Sequence, residues 1–219
     1  MLRWRLFGIP VVIQPYFFLI AVFLGAGTWD GDDWLVEMLC WIGLVLGGVL
    51  AHEMGHALAG RFFGRVPTIE LHGMGGVTRW VEGGALSAGS NLVVSVAGPL
   101  VGMVLGGLSL LLLLVLGPQE GTLLYYVLSS SVWINLGWGV LNLLPMMPLD
   151  GGHVMASILE MFVGNRRRAT HLAYGVSLGV LVVVTLLIVQ YAFAIWNLLL
   201  VGLFFMSNLA GFRATAAAK

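Results

Sequence analysis

The residues best suited to do chemistry lie in one short run, Ala51-His52-Glu53-Met54-Gly55-His56. Histidines four positions apart share one face of an α-helix, so both imidazoles can grip a single metal ion. Glu53, one position on from His52, lies near such a metal without ligating it. A carboxylate there can take a proton from an activated water and pass it to a leaving amine, the chemistry of metal-assisted amide hydrolysis. H-E-x-x-H recurs by chance in soluble proteins, so its weight depends on the medium around it.

That medium is lipid. Hydrophobic residues make up 59% of the 219 and charged residues 9%, where a soluble domain carries about 25% charged residues; mean hydropathy is +0.99. An ionisable residue near the centre of a bilayer costs at least ~2.5 kcal/mol and is rare without a function. Three of them inside one apolar stretch point to a metal site; the competing reading is a hydrogen-bonded cluster that only fixes helix packing. Cys40 is the only cysteine, so no internal disulfide forms, and in its apolar run it reads as a small hydrophobe.

Catalytic zinc takes three protein ligands and leaves one position open. The best remaining candidate is Asp150, in the stretch Asn142-Leu143-Leu144-Pro145-Met146-Met147-Pro148-Leu149-Asp150-Gly151-Gly152-His153. Pro145 and Pro148 interrupt helical hydrogen bonding and Gly151-Gly152 permits close backbone approach, so this segment can turn a carboxylate inward. The alternative for Asp150 is a turn residue capping the helix that follows.

These residues need elements to carry them. A helix crosses the hydrocarbon in about 20 residues, and on that measure six spans are expected, at 10–28, 34–63, 92–116, 122–144, 172–189 and 192–209. The chain is thus expected to be an all-α polytopic membrane protein, a single integral-membrane domain over 1–219. Arg3 and Arg5 precede the first span as in a signal peptide, but no small-residue cleavage site stands out, so it reads as a retained helix. Between the second and third spans, 66–89 is Gly-rich and alternating, which predicts a β-hairpin around a Gly-Gly turn. Its apolar content suggests that it re-enters the membrane, where pairing or a protein-lined cavity must satisfy its backbone.

The positive-inside rule tests this layout. With the N-terminus inside, all ten basic residues fall inside: Arg3, Arg5, Arg61, Arg65, Arg79, Arg166, Arg167, Arg168, Arg213 and Lys219. The outer loops keep Asp30, Asp32, Asp33, Glu37 and Glu120. Both termini are then cytoplasmic, and the second and fourth spans both run inward. His56 precedes Arg61 by five residues, so at 1.5 Å per residue the metal would sit about 7 to 15 Å from the cytoplasmic end of its helix. Asp150 follows the fourth span on that side. Arg166, Arg167 and Arg168 read as a topogenic loop beside anionic lipid, so no nucleic-acid partner is expected. His153 reads as packing or support near the site, and His72 as loop surface.

Taken together, His52-Glu53-Met54-Gly55-His56, the hairpin with Gly75-Gly76-Val77, Ala97-Gly98-Pro99 at the opening of the third span, and Asn142 through Gly152 resemble the site-2 proteases. These are intramembrane zinc metalloproteases that cut transmembrane segments. The resemblance covers nearly the whole chain and implies that His52, His56 and Asp150 bind one Zn²⁺ and that Glu53 activates water. It further implies that Asn142 aids transition-state stabilisation and that the hairpin, with Gly75 and Gly76, aligns unwound substrate. Single-span membrane proteins are the implied substrates, and a regulatory membrane partner is expected because these 219 residues hold neither PDZ nor CBS modules. Two rivals are a divalent-cation transporter, which explains Glu53 less well, and a non-catalytic binder of transmembrane helices, which an intact Glu53 argues against.

Overall fold

The computed structural model describes residues 1–29, 33–191 and 194–217. Asp30 and Asp32 of the expected outer loop, Ala192 at the expected start of the last span and Lys219 of the tail lie outside the described residues. In chain order the elements are β1 (Leu2–Leu6), β2 (Ile9–Ile13), α1 (Pro15–Gly25), α2 (Trp34–Phe62), β3 (Val66–His72), β4 (Gly75–Glu82), α3 (Ala88–Leu116), α4 (Leu123–Val132), a π-helical turn (Trp133–Gly137), α5 (Trp138–Asn142), α6 (Asp150–Val163), α7 (Arg166–Tyr191) and α8 (Ile195–Ala217). They form two compact units, one of residues 1–85 and 97–141, the other of 86–96 and the chain from Asn142 onward.

The first unit is built on a four-stranded sheet in the order β1-β2-β3-β4, with β2 and β3 parallel and the outer pairs antiparallel. β1 and β2 join through Phe7 and Gly8, both at positive φ, which a two-residue hairpin loop requires and which glycine adopts without steric cost. Arg61 of α2 donates to the Phe7 carbonyl at 2.8 Å. Along β2 the burial alternates: Ile9, Val11 and Ile13 point into a core with Ile69 and Leu71 of β3 and with Phe17, Ala21, Trp41, Val45, Met54 and Ala57 of α1 and α2. One apolar sheet face thus clamps the helix that carries H-E-x-x-H.

This sheet is larger than the single hairpin expected, and it shortens the first expected span. Ile9–Ile13 is a strand, not the start of a helix, because its apolar, partly β-branched residues bury every second side chain against α2. Helix begins only at Pro15, whose ring pre-sets the first helical turn while Gln14 stays extended. The resulting α1 has 11 residues, about 16 Å at 1.5 Å per residue. The β3–β4 hairpin appears where expected, but its turn is Gly73-Met74, with Gly75 and Gly76 opening β4. The fourth expected span is helical over 123–142, in three pieces around the π turn.

Among the described residues, four helices are long and apolar enough to cross a membrane: α2, α3, α7 and the Asn197–Ala217 part of α8. Only 6–17% of their most apolar stretches is buried within the chain. Leu111, Leu114 and Val115 of α3, Val183 and Leu186 of α7, and Leu203 and Met206 of α8 are all more than half exposed. A surface of this kind is stable in hydrocarbon and not in water, so the protein is a membrane protein, mostly helical with one small sheet.

In the second unit, Met146, Leu181 and Val201 form a core flanked by Leu144, Leu149, Val180, Val184, Ile188 and Phe204, joining α7, α8 and the segment 143–149. α6 is not among the six expected spans, although the capping alternative for Asp150 supposed a helix after it. Its apolar residues follow Asp150-Gly151-Gly152, which reads as a turn; Gly164, at φ 68, ends it by returning its N–H to the Glu160 carbonyl.

A candidate metal centre

In the first unit, α2 presents His52 and His56 side by side, with their Nε2 atoms 3.1 Å apart. Two imidazole nitrogens on one tetrahedral zinc stand about 3.3 Å apart for Zn–N bonds of about 2.05 Å. The pair therefore fits a shared metal with only a slight adjustment, and neutral nitrogen donors of this kind suit zinc. Gly98 of α3 lies against the His56 ring so closely that a Cβ there would collide with it. Gly55, between the histidines, packs on the backbone of Ala97 and Gly98. The Ala97-Gly98 pair is thus a smooth wall that sets where the His56 ring can stand.

Glu53 is 6% exposed. Thr78 Oγ1 on β4 donates to Glu53 Oε2 at 2.7 Å and lies 3.1 Å from the Glu53 carbonyl oxygen. Gly76 faces the same carboxylate, and a Cβ on it would meet Glu53 Cγ and Oε1. Two features of β4, a missing side chain at 76 and a hydroxyl at 78, therefore position the only acidic residue of the motif. Sequence reasoning singled out Gly76 but not Thr78, whose signal was its place two residues along the same strand face. Farther out, Trp80 packs on Gly60 of α2 and carries Arg65 over its ring at 5.4 Å.

The second unit holds Asn142, Asp150 and His153. Asp150 is the first residue of α6, with Leu149 at the capping position and no side-chain cap. It is therefore not the cap that the alternative reading required; its carboxylate sits at the positive end of the α6 dipole, which favours an anion. Asn142 Nδ2 donates to Asp150 Oδ2 at 3.3 Å. Gly151 and Gly152 run against the backbones of Leu143, Leu144, Met146 and Met147 with no room for a Cβ, so the close approach expected of this pair is present. His153 is exposed on α6. His72 accepts the Met74 N–H at 3.1 Å and, with Gln14, Tyr16, Glu70, Met74 and Arg79, lines an open groove of about 560 Å³.

The chain is similar to known proteins in sequence and fold. Residues 118–186 match peptidase family M50. A Synechocystis protein whose name describes a zinc metalloprotease is 32% identical over 186 residues, covering 80% of this chain and 48% of its own. The zinc metalloprotease MJ0392 of Methanocaldococcus jannaschii is 28% identical over 169 residues, covering 74% and 46%. Stage IV sporulation protein FB of Bacillus subtilis is 27% identical over 154 residues, covering 70% and 49%. The chain thus spans about half the length of the curated relatives it matches. Among solved structures, a site-2 protease from M. jannaschii has the same fold, with a TM-score of 0.61, 24% identity, and coverage of 97% of this chain and 95% of that one. The chain belongs to peptidase family M50 and has the fold of a site-2 protease.

Proposed function

We propose that the protein is an intramembrane zinc endopeptidase that hydrolyses peptide bonds within or near the transmembrane segments of membrane-anchored substrates. The observation that carries this reading is the α2 constellation: two Nε2 atoms 3.1 Å apart, with a buried carboxylate one position on that β4 holds by a hydrogen bond. His52, His56 and Asp150 each offer one ligand atom and would hold one Zn²⁺. Zinc bound there supplies a Lewis acid that polarises the scissile carbonyl and acidifies a water.

The chain's own residues do the rest. Glu53 accepts a proton from the attacking water through Oε1, because Thr78 occupies Oε2, and returns it to the amide nitrogen as the C–N bond breaks. Asn142, whose amide N–H groups face the Asp150 carboxylate, would also donate to the oxygen that gains charge at the scissile carbon.

A substrate helix bonds every amide internally and must unwind before it is cut. β4 is an outer strand of the sheet, so its free edge can pair with extended substrate and offset that loss. Substrates with small residues in their spans are then cut faster. We further place both termini in the cytoplasm, count six crossings with the 123–142 run as the fourth, set the hairpin back into the membrane and locate cleavage in the cytoplasmic half. A regulatory membrane partner would supply the gating. The test is purified Glu53→Gln in lipid nanodiscs with a single-span substrate: cleavage is abolished while stoichiometric zinc remains. Retained cleavage with full zinc rejects Glu53 as the base.

A further inference from the structure

Two buried polar side chains on the last two helices spend their hydrogen bonds on one residue of the Asp150 loop. Ser177 of α7 and Asn208 of α8 are both 0% exposed. Ser177 Oγ accepts the Met147 N–H at 3.0 Å while donating to Ala173 O at 2.8 Å within its own helix. Asn208 Nδ2 donates to the Met147 carbonyl at 2.6 Å and to Phe204 O at 2.8 Å. Both polar groups of the Met147 backbone are thus taken, one by each helix.

The orientation of the Asn208 amide is informative. Among the described residues its buried Oδ1 has no hydrogen-bond partner, which costs free energy in an apolar interior. Flipping the amide would set Oδ1 against two carbonyl oxygens, so the Met147 and Phe204 carbonyls hold it as it is. Apolar contacts of Leu181, Val180, Val184, Val201 and Phe204 already join α7 and α8.

From Met147 the restraint reaches Asp150 through backbone turns. Met146 N–H returns to Leu144 O at 2.7 Å, Leu149 N–H to Met146 O at 2.9 Å, and Gly152 N–H to Leu149 O at 3.0 Å. A segment bonded at every second or third residue moves as one piece, so a shift of Met147 displaces the Asp150 carboxylate.

We propose that Ser177 and Asn208 are positioning residues for the Asp150 carboxylate, acting through the Met147 N–H and C=O to fix it for metal binding. This rests on the reading of Asp150 as a zinc ligand. The test uses full-length Ser177→Ala, Asn208→Leu and the double variant in detergent, with Zn²⁺ affinity measured against a chromophoric chelator and the visible spectrum recorded with Co²⁺. Each single variant should bind Zn²⁺ about 10-fold more weakly and the double about 100-fold, in the range seen when groups behind metal ligands are removed, with an altered Co²⁺ spectrum. Thr185→Val, which removes an α7 hydroxyl that donates to Leu181 O, should change neither. If Asn208→Leu does not fold, Ser177→Ala decides alone. Unchanged affinity and spectrum in folded variants, with Asp150→Ala clearly weakened, overturn the positioning role; unchanged affinity in Asp150→Ala overturns the ligand reading and this inference with it.

Discussion

At the scale of single residues, the proposed site separates the groups that would hold metal from those that position Glu53. Thr78 and Gly76 both touch the Glu53 side chain. A hydrogen bond to a charged group contributes about 1.5 to 3 kcal/mol, so Thr78→Val should lower kcat by roughly 10- to 100-fold, since 1.36 kcal/mol is tenfold. Zinc content should be unaffected and Thr78→Ser should recover most of the rate. Gly76→Ala should behave like Thr78→Val, because its methyl would displace the same carboxylate. Steady-state kinetics beside zinc analysis checks both: loss of metal in either variant contradicts the division of labour.

At the scale of elements, the wall of α3 governs the metal. Gly98→Ala adds one methyl beneath the His56 ring, and the ring must rotate or α3 must move away. Zinc affinity should fall at least tenfold, in the range found when the support of a ligand is lost, with helical content unchanged by circular dichroism. Wild-type affinity in this variant would show that the wall yields. The same contact shows what could be read from the sequence. His52 and His56 were legible because helical periodicity alone brings them together, and α2 because it is apolar from Trp34 to Phe62 apart from Glu37, the His52-Glu53-His56 motif and Arg61. β3 and β4 were legible from alternation and glycine. β1 and β2 were not, because Ile9 to Ile13 is apolar enough to read as the start of a span, and only α2 beneath it makes every second side chain the buried one. Thr78, Ser177 and Asn208 were illegible for a related reason. A lone hydroxyl or amide in an apolar stretch carries no spacing signal, and its role appears only when its partner comes from a distant part of the chain.

At the scale of the whole molecule, lipid decides both stability and sidedness. The exposed leucines and valines of α3, α7 and α8 are stable only in hydrocarbon, and under the positive-inside rule the basic residues would set which end of each helix faces the cytoplasm. If His56 lies about 7 to 15 Å from the cytoplasmic face, at 1.5 Å per residue from Arg61, then Arg3 and Arg167 must be on that face and Gln119, between α3 and α4, on the other. In a Cys40→Ala background, single cysteines at these three positions should separate cleanly. A membrane-impermeant maleimide applied to right-side-out vesicles should label Gln119→Cys and leave Arg3→Cys and Arg167→Cys untouched, and inverted vesicles should reverse the pattern. Labelling of Gln119→Cys and Arg167→Cys from the same side would mean an even number of crossings between them, where the proposed layout has one. The helix that brings Asp150 to its loop would then emerge on the face opposite Arg61, and no single metal near the cytoplasmic end of α2 could draw on all three proposed ligands.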